Sequence, residues 1–144
     1  MKSRVVFSSK SDEWATPQDL YDQLNEEFHF ELDCAATAEN TKCPRYLSDA
    51  LNVPWAATNW LNPPYSLCKE FVAKAFAECY SGHTTVLLLP SRTDTRWWHD
   101  FVWDRTFHAP YKGIEVRFIK GRLKFGGSTN SAPFPSVVVV MRGQ

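Results

Sequence analysis

The segment Thr84-Thr85-Val86-Leu87-Leu88-Leu89-Pro90 is a short, nearly continuous apolar run. Such a run is typical of a β-strand that is covered on both faces, because a strand with one face in water alternates apolar and polar residues. Strands of this kind lie in sheets that carry helices on both sides. The run therefore predicts an α/β fold with the sheet in the interior.

The segments before this strand also alternate between strand and helix. Residues 30–34 alternate apolar and polar side chains and predict a strand that ends near Asp33. Thr58–Leu61 predicts a second strand. Residues 66–80 have apolar side chains at helical spacing and predict a helix that Ser66 caps.

The sequence predicts where the first helix begins. Thr16 suits the N-cap, Pro17 the first helical position and Asp19 the capping-box position. Apolar residues then recur every four positions, at Leu20, Leu24 and Phe28. We expect this helix to bury one face.

The segments after the central strand predict one helix and three strands. The helix runs from Thr95 to about Trp103 behind a cap at Thr93 or Asp94, and the strands are Ile114 to Ile119, Arg122 to Phe125 after a tight Lys120-Gly121 turn, and Val137 to Met141. The whole order predicts a Rossmann-like three-layer α/β sandwich, mostly parallel with late antiparallel strands.

Length and composition limit the domain count and the class of protein. With 144 residues, of which 44% are hydrophobic and 15% aromatic, the chain predicts one globular domain, residues 1–144, with no separate target-recognition domain. No apolar run reaches membrane-spanning length, and the first residues do not resemble a signal peptide. We expect a cytoplasmic protein without a membrane partner.

The cysteines and histidines do not have metal-ligand spacing. No CxxC or HxxxH pair occurs among Cys34, Cys43, Cys68, Cys79, His29, His83, His99 and His108. We expect reduced, buried thiols and no metal.

The tetrad Asn62-Pro63-Pro64-Tyr65 is the strongest chemical signal. An amine on an aromatic ring is a poor nucleophile, so a catalyst must hold its N–H groups with fixed acceptors. The Asn62 side-chain oxygen and the Pro63 carbonyl can be those acceptors, Pro64 stiffens the turn and Tyr65 offers a stacking face. The same four residues could also form an ordinary turn after a strand. Their place between a strand and a helix favours a ligand site.

The net charge is zero, but the charges are unevenly distributed. Residues 1–60 contain 5 Lys or Arg against 10 Asp or Glu, and from Arg105 onward there are seven basic residues and the single acid Glu115. This asymmetry predicts a face that binds a polyanion. The candidate phosphate contacts are Arg92, Arg96, Lys112, Lys120, Arg122 and Lys124.

The chain resembles the phage-type DNA N6-adenine methyltransferases, the Dam-like group that uses S-adenosylmethionine. The resemblance is carried by Trp14-Ala15-Thr16-Pro17, residues 30–36, Asn40-Thr41-Lys42-Cys43-Pro44, Asn62-Pro63-Pro64-Tyr65, residues 90–95, Arg117 to Gly127 and residues 131–135. It spans the chain from Glu13 to Val140. Taken together the segments are specific, although no single one is.

The resemblance implies roles for particular residues. Thr16 and Pro17, with Trp14 and Asn62 beside them, fall where the family contacts its cofactor, Thr16 and Pro17 at the methionine end. Asp33 and Ala35 fall where it contacts the amino group and sugar. For the ribose hydroxyls the candidate is Asp49, with Glu39 in reserve.

Two features depart from larger methyltransferases. Ala35-Ala36-Thr37 stands where a glycine-rich loop is usual, and only 28 residues separate Asp33 from Asn62. We therefore expect a truncated sheet. The loop from Thr37 to Trp55, or a second subunit of a homodimer, would then wall the adenosine pocket.

The implied reaction is methyl transfer from S-adenosylmethionine to N6 of an adenine in DNA that is flipped into the tetrad pocket. The tetrad also suits methyltransferases of RNA adenine or protein glutamine. A non-catalytic nucleic-acid-binding scaffold is the remaining alternative.

Overall fold

The computed structural model describes residues 14–126 and 131–144. Its helices are α1 (Gln18–Phe28), α2 (Cys68–Cys79) and α3 (Arg96–Phe101), with short 3-10 turns at Ala50–Asn52 and Tyr65–Leu67. Its strands are β1 (Leu32–Asp33), β2 (Thr58–Leu61), β3 (Thr84–Pro90), β4 (Trp103–Asp104), β5 (Ala109–Pro110), β6 (Ile114–Phe118) and β7 (Ser136–Met141).

Five of these strands form one mixed sheet in the order β1-β2-β3-β7-β6. The pairs β1–β2 and β2–β3 are parallel, and β7 runs antiparallel to both β3 and β6. Strands β1, β2, β3 and β6 therefore end at the same edge, which we call the carboxyl edge. The α/β class and the late antiparallel strand are confirmed, and β3 has its predicted bounds.

The sheet is buried on both faces, because neighbouring residues of its strands enter two different apolar clusters. Leu87 and Leu89 of β3 pack with α2 and α3, whereas Val86 and Leu88 pack with Tyr21 and Leu24 of α1. All four β3 residues are fully buried. The continuous apolar run is therefore a correct signal of two-sided burial.

The predicted start of α1 is wrong in its capping. Pro17 is the N-cap residue and no side chain caps the helix. The Thr16 hydroxyl accepts a hydrogen bond from Asn62 instead. A long-range partner has thus replaced the local one that the sequence pattern suggests.

Similar shifts occur at the other two helices. Helix α2 begins at Cys68 with Leu67 as its N-cap residue, after the 3-10 turn, rather than at Ser66. Helix α3 has Thr95 as its N-cap residue, not Thr93 or Asp94, and ends at Phe101. The hairpin of β4 and β5 follows it.

The predicted strand from Arg122 to Phe125 is not formed. After β6 the chain turns at Gly121, whose φ is +75°, and runs toward α1. The Gly126 N–H donates to the Ala15 carbonyl at 2.9 Å, and the Ala132 N–H donates to the Leu123 carbonyl at 2.8 Å. These backbone bonds tie the segment to the residue before α1 and to residue 132 rather than to the outer edge of β6.

The long connection between β1 and β2 is anchored beside Asp33. The Asp33 N–H donates to the Arg45 carbonyl and the Leu47 N–H donates to the Asp33 carbonyl, both at 3.0 Å. Trp55, later in the same connection, is buried, with 4% of its surface exposed. The predicted loop is therefore held against the outer edge of β1.

Glu78 near the end of α2 is a buried acid with three partners. It accepts hydrogen bonds from the Trp55 N–H at 3.1 Å and Lys74 Nζ at 2.9 Å, and it lies 2.6 Å from His83 Nδ1. Burial raises the pKa of this carboxyl, but the hydrogen bonds outweigh it and leave the pKa below its ordinary value. Glu78 thus fastens the β1–β2 connection to α2.

An ion-pair network joins α1 to the open edge strand β6. Both guanidinium NH groups of Arg117 lie 2.8 Å from the Glu27 carboxylate, and Arg117 Nε lies 2.7 Å from Glu115. Arg142 Nη1 lies 2.8 Å from the same Glu115. These partners lower the pKa of Glu115 to about 2. Arg117 is therefore engaged within the protein.

All four cysteines are free and buried, as predicted. Burial raises the pKa of Cys68 to about 12 and that of Cys79 to about 11. These thiols are protonated and unreactive at neutral pH. No helix within residues 14–126 and 131–144 is long and apolar enough to cross a membrane.

Candidate active site

Asn62 follows β2 directly and lies at the carboxyl edge, beside the end of β1 at Asp33. Its side-chain Nδ2 donates to the main-chain oxygen of Trp14 and, at 3.0 Å, to Thr16 Oγ1. The carbonyl oxygen of Trp14 can only accept, so these bonds fix which end of the amide carries the nitrogen.

The same bonds leave the Asn62 side-chain oxygen without a partner. Oδ1 is buried and has no hydrogen-bond partner among the described residues. An unpaired buried acceptor costs roughly 1–3 kcal/mol, so folded proteins rarely retain one without a use. Asn62 thus presents a fixed acceptor.

A cavity of about 380 Å³ connects Asn62 with Asp33. This volume is within the range of small-molecule sites. Its wall comes from four places: the segment before α1, the ends of β1 and β2, the β1–β2 connection, and Leu67 and Phe71 at the start of α2. The lining residues used below are Thr16, Asp33, Ala35, Lys42, Asn62 and Pro64.

Asp33 is buried at 4% exposure, yet it lines this cavity. Its Oδ2 accepts from the Lys42 N–H at 2.9 Å and its Oδ1 accepts from the Ala35 N–H at 3.4 Å. Burial raises the pKa of the carboxyl, and the two N–H groups compensate only in part. A buried carboxylate with oxygen lone pairs to spare suits a cationic ligand.

Four aromatic rings pack against one another, and we call Trp14, Tyr65, Phe125 and Phe134 the aromatic group. Of the four, Trp14 lines the cavity. Trp14 and Tyr65 are stacked with ring centroids 6.4 Å apart and an interplanar angle of 25°. Phe134 stands edge-on to both, at 5.3 Å from Trp14 and 5.1 Å from Tyr65. Burial raises the pKa of Tyr65 far above its ordinary value, so its hydroxyl remains protonated.

The other predicted cofactor residues lie in different places. Ala35 lines the cavity, whereas Pro17 is the N-cap of α1 and does not line it. Asp49 does not line it either: its Oδ1 accepts from Asn52 Nδ2 at 2.7 Å. Glu39 is exposed and also absent from the wall. The structure thus brings together Trp14, Thr16, Asp33, Ala35 and Asn62.

The tetrad is split by the cavity wall. Asn62 and Pro64 line the cavity, Pro63 between them is buried, and Tyr65 joins the aromatic group. The predicted loop supplies part of the wall through Thr37, Asn40, Lys42, Leu47 and Ser48.

The predicted phosphate contacts are all exposed, but they do not share one face. Lys120, Arg122 and Lys124 lie on the segment between the carboxyl end of β6 and the aromatic group, and Arg92 follows β3 at the same edge. Arg96 opens α3 and lines a second cavity between α2 and α3. Lys112 precedes β6 and so lies at the opposite edge.

Sequence reasoning missed Phe125, Phe134 and Lys42 as site residues. Phe125 belongs to a predicted strand that does not form, and Phe134 lies in a proline-flanked segment without a period. Lys42 acts on Asp33 through its backbone N–H, which no side-chain pattern reveals. No group of three or more His, Cys, Asp or Glu within the described residues could hold a metal ion.

The sequence pattern of the family described as DNA N-6-adenine-methyltransferase (Dam) matches residues 3–143. The chain belongs to this family. Among curated proteins, a Dam family relative from Escherichia phage T1, named DNA N-6-adenine-methyltransferase, is 35% identical over 92 residues, which are 60% of this chain and 39% of the relative. One of the same name from Haemophilus phage HP1 is 31% identical over 105 residues, 69% of this chain and 60% of the relative.

The matched regions thus span less than two thirds of either phage relative. Membership of the Dam family rests on the family's sequence pattern, which matches nearly the whole chain. Residues of the candidate active site, from Trp14 to Phe134, all lie within the matched range.

Proposed function

We propose that the protein transfers a methyl group from S-adenosylmethionine to the N6 amino group of adenine in DNA. The observation that carries this proposal is the buried, unpaired Oδ1 of Asn62 at the edge of the cavity. An exocyclic amine has two N–H donors, which is what such an acceptor requires. Family membership and the names of the phage relatives support the same reaction.

The residues around the cavity fit the cofactor in their chemistry. In this proposal Asp33 accepts from its cationic amino group, and Thr16, Ala35 and Lys42 line the rest of the site. The small side chain of Ala35 allows the backbone to approach a ligand. The bound cofactor supplies the electrophilic methyl group.

Asn62 positions the amine in this proposal. Oδ1 of Asn62 and the Pro63 carbonyl accept the two N6 hydrogens, and Tyr65 stacks on the base. The Nδ2 bonds to Trp14 and Thr16 stop the amide from rotating, so the acceptor is in place before the substrate arrives. The proton released after transfer goes to solvent, so no general base is needed.

DNA is the proposed substrate because of the basic segment beside the site. Lys120, Arg122 and Lys124 are exposed at the carboxyl edge, and none of the three forms an ion pair with another described residue. In duplex DNA the adenine is flipped out of the stack to reach Asn62. Adenine in RNA is the second candidate, since phosphate contacts do not separate the two polymers.

We also propose that the fold is a truncated Rossmann-like methyltransferase sandwich. The chain from 37 to 48 walls the cavity, so a second subunit is not required there. One domain, residues 1–144, would carry both cofactor and DNA binding, with sequence recognition by loops. The protein would act in the cytoplasm of a bacterial or phage-infected cell.

Methylation mapping tests this function. The purified chain is incubated with labelled S-adenosylmethionine and with duplex DNA, single-stranded DNA and RNA of matched sequence, and the methylated positions are mapped. We expect N6-methyladenine in DNA and no product from Asn62→Ala, which still binds the cofactor. Product in RNA alone, or none with any substrate, would refute the proposal.

A further inference from the structure

Phe118, the last residue of β6, is an exposed aromatic residue at the carboxyl edge. Its side chain is 70% exposed. The other exposed large hydrophobic residues within 14–126 and 131–144 are Tyr46, Tyr80 and Phe107. Single exposed aromatic residues are common on protein surfaces, so the surroundings of Phe118 decide whether it has a role.

The chain after Phe118 turns packed and exposed side chains to opposite sides. Ile119, Leu123 and Phe125 pack into the apolar cluster on the α1 side of the sheet. The exposed side chains between them are three cations, Lys120, Arg122 and Lys124, none of which forms an ion pair with another described residue. An exposed ring followed by free cations suits nucleic acid, because rings stack on unstacked bases and cations contact phosphates.

The register of the sheet relates Phe118 to Asn62. Leu89 lies two residues beyond the β3 partner of Leu61. It pairs with Val137 of β7, which pairs with Phe118. Because Asn62 follows Leu61, Asn62 and Phe118 end within about one residue of the same level. They are three strand spacings apart in the order β2-β3-β7-β6, or about 14 Å along the sheet.

A base flipped out of duplex DNA leaves a gap in the stack and an unpaired base on the other strand. Flipping turns the nucleotide by about 180° about its backbone. Since the major groove is about 8.5 Å deep, the flipped base and the gap are separated by roughly twice that depth, on the order of 15 Å. With the adenine at Asn62, Phe118 is therefore at a suitable distance to fill the gap.

We propose that Phe118 enters the gap left by the flipped adenine and stacks on the unpaired base of the other strand, while Lys120 and Arg122 contact neighbouring phosphates. Apolar side chains that enter a base stack are known in DNA-binding proteins. Phe118 is a positioning residue here, since it stabilises the flipped state without touching the reacting atoms. The inference rests on the proposed function, because it requires adenine in duplex DNA as the substrate.

The test uses the full chain and two duplexes that carry the methylated sequence mapped with the unchanged protein. One has thymine opposite the target adenine, and the other has an abasic site there. The abasic duplex lacks the base on which Phe118 stacks, and its adenine is already unpaired. Single-turnover rates at saturating DNA and cofactor are measured for the unchanged protein, Phe118→Ala, Phe118→Trp and the control Phe107→Ala. Phe107 is 78% exposed and lies in the β4–β5 hairpin.

We expect Phe118→Ala to methylate the paired duplex about tenfold more slowly than the unchanged protein, the effect of one lost stacking contact. On the abasic duplex its rate should stay within about threefold, since flipping an unpaired base costs less. Phe118→Trp keeps a stacking ring and should retain most of the rate on both duplexes. Phe107→Ala should match the unchanged protein on both.

Three results would overturn the inference. The first is a Phe118→Ala rate that is unchanged on the paired duplex, and the second is an equal loss on both duplexes, which indicates a structural role. The third is methylation of single-stranded DNA with neither duplex methylated. In each case the proposed function stands if Asn62→Ala abolishes methylation of the DNA that is modified. If no DNA is methylated, the proposed function fails and this inference fails with it.

Discussion

The hydroxyl oxygen of Thr16 lies 3.0 Å from the side-chain Nδ2 of Asn62, 46 residues later in the chain. This bond joins the segment before α1 to the end of β2 and holds the Asn62 amide in one orientation. The sequence pattern predicts that the Thr16 hydroxyl caps α1, but in the structure it binds Asn62 instead.

Replacing Thr16 tests this bond. Thr16→Val keeps the shape and removes the acceptor, so we expect the methyl-transfer rate to fall about tenfold, equivalent to roughly 1.4 kcal/mol. Thr16→Ser keeps the hydroxyl and should retain most of the rate. Single-turnover rates at saturating cofactor make the measurement. Equal losses in the two variants would show that the hydroxyl does not hold Asn62.

Tyr65 is expected to act through its ring. Tyr65→Phe retains the stacking face and loses only an unpaired hydroxyl, so activity should stay within about threefold. Tyr65→Ala should lose roughly 10–100-fold, because stacking of a base on an aromatic ring contributes roughly 1–3 kcal/mol. The comparison is made on kcat/KM for DNA. An equal loss in both variants would contradict a stacking role.

Cofactor affinity should depend on pH through Asp33. Burial raises the pKa of this carboxyl, and the proposed contact needs the charged form. Affinity for S-adenosylmethionine should therefore fall as the pH is lowered, beginning above the pH at which an ordinary Asp takes up its proton. Calorimetric titration over pH 4–8 with the unchanged protein and Asp33→Asn measures this.

Asp33→Asn should bind more weakly at neutral pH and lose the Asp33 part of the pH dependence. Asp49→Asn is the control, since Asp49 is bonded to Asn52 and does not line the cavity. An unchanged pH profile in Asp33→Asn would show that this carboxylate does not bind the cofactor.

Folding stability should fall in acid through Glu78. Its pKa is lowered in the folded protein, so the unfolded chain takes up the proton first. The contribution of Glu78 is therefore complete above the unfolded pKa, about 4.3, and is lost as the pH falls through the lower folded value.

At pH 7 the free energy of unfolding of Glu78→Gln should be roughly 1–3 kcal/mol lower, because Lys74 keeps its charge but loses the buried carboxylate that it contacts. Urea unfolding at pH 7 and pH 3 should show that the difference from the unchanged protein shrinks in acid. Glu70→Gln, an exposed position on the same helix, is the control. A difference that stays constant with pH would contradict this assignment.

The basic segment after β6 should set the salt dependence of DNA binding. Removing one phosphate-binding side chain reduces the slope of log K against log salt by about 1, so Lys120→Ala and Lys124→Ala together should reduce it by about 2. Lys112→Ala is the matched control, since Lys112 lies at the other edge of the sheet. A slope that is unchanged by the double substitution would remove this face from the DNA interface.

Much of the sheet could be predicted, because strands buried on both faces have a strong signal. The apolar run of β3 marks its bounds, and the tetrad marks the place where β2 ends in a site. Asp33 is predictable as a site residue because it is polar and lies at the carboxyl end of a predicted strand, where α/β sheets bind their ligands.

The remaining features depend on contacts between distant segments. The aromatic group unites residues 14, 65, 125 and 134, and no local pattern connects them. Strands β4 and β5 have two residues each, too few for a period. Spacing alone favours Asp49 as a ribose ligand, but in the structure Asp49 precedes the turn at Ala50–Asn52, accepts from Asn52 and does not line the cavity.

The bonds from the Asp33 N–H to the Arg45 carbonyl and from the Leu47 N–H to the Asp33 carbonyl occupy the outer side of β1. A strand whose outer groups are already paired offers no template to another chain, so this side of the sheet resists intermolecular strand addition. Because residues 42 and 47 also wall the cavity, one local opening event would uncover the sheet and dismantle the ligand site together. Ligand should therefore slow amide hydrogen exchange of this stretch, and of Asp33 with it.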